Sequence, residues 1–129
     1  MTITPIYAAI LALMFVALSV RVIGARRSAL VALGDGGNRL LLRRLRVHAN
    51  FAEYVPFALI LMMLAEQQSM PPAIIHALGA LLLAGRVIHA VGVSREPEQL
   101  WQRITGMSLT FTALVGGALI NLVAASGLI

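Results

Sequence analysis

The stretch Ile3-Thr4-Pro5-Ile6-Tyr7-Ala8-Ala9-Ile10-Leu11-Ala12-Leu13-Met14-Phe15-Val16-Ala17-Leu18-Ser19-Val20-Arg21-Val22-Ile23 decides the fold class, because it carries a single charge, Arg21, near its end. A transmembrane helix needs about 20 apolar residues, and this run supplies them. Thr4-Pro5 suits a helix start, since a first-turn proline gives up no hydrogen bond. Working outward, Gly34-Asp35-Gly36-Gly37 and Ser69-Met70-Pro71-Pro72 have turn composition, and Arg95-Glu96-Pro97-Glu98 makes a polar connection. The pattern predicts spans over about 3–23, 40–65, 72–93 and 102–127 in one transmembrane domain covering 1–129. The short second connection makes its flanking helices antiparallel neighbours. The expected fold is all-α, an integral membrane antiparallel four-helix bundle.

Composition supports this reading. Of 129 residues 60% are hydrophobic and 12% charged, against about 25% charged in an ordinary soluble domain. Mean hydropathy is +0.91. Disorder and a water-soluble enzyme are excluded as default readings. Without cysteine there is no disulfide framework, thiolate metal site or cysteine nucleophile. The net charge of +5 does not mark a nucleic-acid binder, because it is concentrated in one place. All ten basic residues are arginine, and seven of them lie from Arg21 to Arg46. Such a block between apolar runs anchors a cytoplasmic loop beside anionic lipid. With Arg95 and Arg103 in the third connection and no arginine in the second, the positive-inside rule puts both termini outside.

Several polar residues fall inside the apolar spans. Arg46, Asn50 and Glu53 form a narrow stripe on the second helix, and Arg39 and Arg43 extend it. Arg86 and His89 share a face of the third helix with Gly79, Leu82 and Val93. On the fourth, Arg103, Met107, Thr110, Leu114, Gly117 and Asn121 align. Glu53 lies about 10 Å beyond Arg46, and Arg86 about 10 Å inside its end of the third helix. Opposite charges therefore share a level, and Glu53 is expected to pair with Arg86 or Arg46, with Asn50 as a further partner. An ion pair that only fixes helix register would be the bland reading; a polar pocket better explains so many convergent groups. His76 reads as interfacial and His48 as a satisfied packing residue. No histidine pair has metal-ligand spacing, so no metal is expected. Gly116-Gly117 and the Thr105, Ser108, Thr112, Gly116 series suggest close helix packing in lipid.

The run Arg46-Val47-His48-Ala49-Asn50-Phe51-Ala52-Glu53-Tyr54-Val55-Pro56 resembles the signature of the MAPEG family (membrane-associated proteins in eicosanoid and glutathione metabolism). The likeness extends to Ala25-Arg26-Arg27, to Gly34-Asp35-Gly36-Gly37, which looks most like bacterial members, and to Gly85-Arg86-Val87-Ile88-His89. It implies a homotrimer in a bacterial inner membrane, with glutathione as co-substrate in the cytoplasmic half of a cleft between subunits. By the same implication Arg46, Asn50 and Glu53 hold the tripeptide, Glu53 taking its amino group and Arg26 and Arg46 its carboxylates. Tyr54, Arg86 and His89 match positions that line or brace the cleft. Arg103 is the nearest match to the arginine that faces the glutathione sulfur. Several members carry a tyrosine where this chain has Val93, and the thiol-assisting tyrosines or serine near the fourth helix have no counterpart at Ile104 or Met107.

The chemistry follows from the residue types. A thiol with pKa about 8.5 is only a few per cent thiolate at neutral pH, and the thiolate is the nucleophile. Bringing that pKa to about 6.5 takes about 2.7 kcal/mol of differential stabilisation. A desolvated arginine supplies it without losing its own proton. The electrophile would be a lipophilic small molecule arriving from the membrane lipid, as for a transferase or peroxidase. The alternative is a non-enzymatic relative that binds a lipid or a protein. A small multidrug exporter would need a carboxylate in the first helix, and Ile3 to Ile23 has none.

Overall fold

A computed structural model describes residues 2–127. Its four helices are α1 (Thr4–Ala29), α2 (Arg39–Gln67), α3 (Pro72–Ser94) and α4 (Leu100–Ala125), all long and apolar enough to cross a membrane. There is no strand among the described residues.

The helix ends have local causes. α1 opens with Pro5 in its first turn and runs past the apolar segment, so that Arg26 and Arg27 occupy its last turn, where cations favour the helix dipole. Leu30 then takes a left-handed conformation and its N–H returns to the carbonyls of Arg26 and Arg27. Asn38 caps α2 by accepting from the Leu41 amide at 2.9 Å. Two prolines, Pro71 and Pro72, start α3.

Consecutive helices run antiparallel. α2 and α3 are central: each packs on all three other helices, whereas α1 and α4 do not touch. The buried face of α2 carries Val47, Phe51, Val55, Ala58, Met62 and Ala65, which join Leu11, Ile75, Leu82 and Ala113 in the main core. Outward faces keep large apolar side chains such as Leu13, Phe57, Trp101 and Leu122 exposed, as lipid contact requires.

α3 and α4 meet backbone to backbone. A Cβ on Gly106 would stand 2.6 Å from the His89 amide nitrogen, and one on Gly85 would stand 2.9 Å from the Gly106 carbonyl. Gly92 closes against Gln102 in the same way. The close contact thus runs through Gly85, Gly92 and Gly106, not through the Thr105, Ser108, Thr112, Gly116 series. Ser108 and Thr112 are exposed, and a Cβ at Gly116 would make only ordinary contact, at 3.4 Å, with Leu78. That series is centred more than about 120° round the helix from the inward stripe that includes Thr110 and Gly117, which explains the difference.

Candidate functional site

The arginine-rich ends of α2, α3 and α4 enclose a cleft of about 340 Å³ lined by Arg39, Leu42, Arg43, Arg46, Asn50, His89, Val93, Glu98 and Arg103. Four lining arginines meet Glu98 in the wall and Glu96, which pairs with Arg39, so the cleft still carries surplus positive charge. A concavity lined by one sign of charge focuses the field on anions. Its volume falls within the about 300–1,000 Å³ of small-molecule sites.

Each wall has its own origin. The turn-spaced stripe on α2 delivers Arg39, Arg43, Arg46 and Asn50 to one side. The close α3–α4 crossing sets His89 and Val93 opposite Arg103 on the first turn of α4. The connection between α3 and α4 folds back over the opening. There Glu98 lies 3.2 Å from Arg103 and 3.6 Å from Arg43, and Glu96 pairs with Arg39 at 2.8 Å. Arg43 also donates to the Val93 carbonyl at 3.3 Å. Arg46 is exposed and has no ion-pair partner among the described residues.

Behind this surface lies Arg86, 1% exposed and the largest fully buried side chain. One terminal nitrogen donates to Asn50 Oδ1 at 2.6 Å. The other approaches the Gly106 carbonyl at 3.5 Å and Met107 Sδ at 3.4 Å. The guanidinium carbon stands 6.0 Å from the Tyr54 ring centroid, at the outer limit of a cation–π contact. Tyr54 packs edge-on against Phe111 with centroids 5.5 Å apart.

Of the residues singled out in the sequence, Arg46, Asn50, His89 and Arg103 line this one cleft, and Arg86 braces it through Asn50. Tyr54 sits beside Arg86 without lining the cleft. One expectation needs correction. The Glu53 pairing with Arg86 or Arg46 does not form within the subunit: Glu53 is exposed and has no ion-pair partner among the described residues. Asn50 stands at the edge of the buried face of α2, and three residues on, Glu53 has turned about 60° further outward. The buried guanidinium therefore meets the amide. Arg26 does not line the cleft within this one subunit. Its Nη1 donates to the carbonyls of Val31, Ala32 and Gly34 at 3.4, 3.2 and 2.9 Å, tying the loop to the end of α1.

Glu98 is the charged lining residue that the sequence reading passed over as part of a polar connection. The available signal was its position, five residues before Arg103, in a chain with only five acidic residues. His48, by contrast, is satisfied: its Nε2 lies 3.0 Å from Ser19 Oγ, and its ring stacks on Phe15 with centroids 4.7 Å apart.

Comparison with known proteins agrees with this architecture. The family model described as the MAPEG family matches residues 4–123. The inner membrane protein YecN of Escherichia coli strain K12 is 37% identical over 120 residues, covering 93% of this chain and 90% of that protein. YecN from Escherichia coli O6:H1 strain CFT073 matches with the same identity and coverage. No solved structure matches the chain. With four membrane-spanning helices, the arginine-to-proline run on α2 and a family match along nearly its whole length, this chain belongs to the MAPEG family.

Proposed function

We infer that the protein binds glutathione in the arginine-lined cleft and activates its thiolate toward lipophilic electrophiles, as a transferase or peroxidase of the bacterial inner membrane. The observation that carries this reading is the cleft itself: Arg39, Arg43, Arg46 and Arg103 outnumber the two carboxylates that meet them, Glu98 in the wall and Glu96 on Arg39, at one end of a membrane bundle. Such a site suits a small, water-soluble ligand with more than one carboxylate. Arginine at each corner permits bidentate contacts to those groups.

In this reading Arg46 and Asn50 hold the tripeptide and His89 lines its bed. Arg103 faces the sulfur and stabilises the thiolate as the catalytic residue. Both termini lie outside and the cleft opens in the cytoplasmic half, in keeping with the arginine bias of the connections. The subunits form a homotrimer. An exposed, unpaired Glu53 on a membrane-spanning helix is costly against lipid, by about 2.5–3.5 kcal/mol at mid-bilayer on insertion scales. A neighbouring copy that shields it from lipid and sets it beside a water-filled cleft lowers that cost and leaves it free for the ligand amino group. Arg26 then reaches glutathione only across the subunit boundary, from a neighbouring copy.

The test is ultraviolet thiolate absorbance on adding glutathione to the purified protein in detergent. A thiolate band should appear, and Arg103→Ala should abolish it while calorimetric binding persists in weakened form. Binding without a band would favour the non-enzymatic alternative, for which the apolar Val93 in the cleft wall is the supporting feature.

A further inference from the structure

The buried contact between Arg86 and Asn50 has a chemical polarity that sets what the cleft accepts. Arginine carries five N–H donors and no acceptor. Its 2.6 Å partner on Asn50 must therefore be the amide oxygen, whichever way the amide is drawn. This leaves the two N–H donors of Asn50 Nδ2 for the other side. That nitrogen has no hydrogen-bond partner within the described residues, and it is not among the enclosed polar atoms that lack one. Asn50 lines the cleft, so its free donors open into it.

The buried cation reinforces this polarity. Arg86 has no ion-pair partner among the described residues, and its other contacts are a carbonyl, a thioether and a ring face. Asn50 Oδ1 is its shortest hydrogen bond. A flip of the amide would set N–H groups against the guanidinium and orphan it in the membrane interior, where replacement partners are few. The amide is therefore locked with its donors toward the cleft.

The geometry points to Arg86 as a positioning residue that turns Asn50 into a donor-only contact, selecting an acceptor oxygen of the ligand, which the arginine-lined cleft makes a carboxylate, and rejecting an ammonium at that position. The assignment of that carboxylate to glutathione rests on the functional reading above. It separates the polar stripe of α2 into two specificities: an acceptor is read at Asn50, and one turn further out the exposed carboxylate of Glu53 is the group suited to an ammonium.

Asn50→Asp tests this with little change of shape. The new carboxylate still faces Arg86, while its cleft-facing end changes from donor to acceptor. Glutathione affinity should fall more than about tenfold. One of the two glutathione monoamides, each with a single carboxylate converted to a primary carboxamide, should recover most of it. On the wild type neither monoamide should bind more tightly than glutathione. Arg86→Lys should keep the wild-type order of ligands, because lysine also only donates. The proposal fails if Asn50→Asp binds glutathione within about twofold of wild type, if neither monoamide recovers binding, or if Arg86→Lys inverts the ligand order.

Thermal unfolding in detergent reads the same polarity without glutathione. Asn50→Asp should unfold at or above the wild-type temperature and Asn50→Leu below it; Asn50→Asp unfolding below Asn50→Leu would overturn the assignment. A wild-type protein that does not bind glutathione ends the functional reading alone, and the unfolding order then decides the role of Arg86.

Discussion

The two ends of α2 treat their polar groups in opposite ways. At the end near Gln67, partners come from within the chain. Glu66 accepts from the backbone amides of Thr2, Ile3 and Thr4, satisfying donors that the start of α1 cannot use internally. Asn121 of α4 donates to the carbonyls of Leu61 and Gly117 and accepts from Gln68. From the end near Arg39 to the middle of the helix, Arg46 and Glu53 are exposed without ion-pair partners among the described residues, and Asn50 keeps a free donor pair. A closed polar network holds helices together, whereas an open one at membrane depth calls for a ligand or a neighbouring subunit. Glu66 and Glu53 show that the same residue type on one helix serves either purpose, depending on which partners the neighbouring helices present.

Substitutions at the two ends should therefore separate stability from binding. Glu66→Ala should give the largest loss of thermal stability of the three, since it strips the acceptor from the first amides of α1. Calorimetry with glutathione on the same variant should show unchanged affinity; a parallel loss would mean that the two ends are not independent. Glu53→Gln should do the reverse, weakening glutathione binding more than tenfold, about 1.4 kcal/mol, while unfolding temperature and trimer formation stay at wild-type values. A smaller effect of opposite sign is expected for Glu98→Gln. Removing the carboxylate that bridges Arg43 and Arg103 should tighten binding about threefold, the scale of an exposed ion pair. That gain should shrink at high salt. Weaker binding by this variant would instead make Glu98 a ligand contact.

Much of the fold was legible before any coordinates. The four apolar runs give the four helices, because membrane thickness sets their length. Gly79, Leu82, Arg86, His89 and Val93 share a predicted face of α3, and all are buried there. The stripe on α2 does bring Arg39, Arg43, Arg46 and Asn50 to one cleft. Less was legible about partners. Glu53 and Arg86 share a level, and charge alone would join them, yet the guanidinium meets Asn50. Arg26 had the type and place of a ligand arginine, yet its donors go to carbonyls of its own loop. The closest helix contact falls on Gly85, Gly92 and Gly106 instead of the small-residue series on α4, because the approach of two backbones depends on both helices at once.

By itself, then, the sequence determined the number and length of the membrane helices, the end that gathers positive charge and the angular position of each polar group about its own helix axis. These depend on hydropathy and on the 3.6-residue turn, both properties of a single segment. Only the tertiary structure decided that Arg86 binds the Asn50 oxygen, that Glu98 stands between Arg43 and Arg103, and that Glu53 faces outward. Those outcomes depend on how neighbouring helices are rotated and how closely they approach, and no single segment's periodicity contains that information.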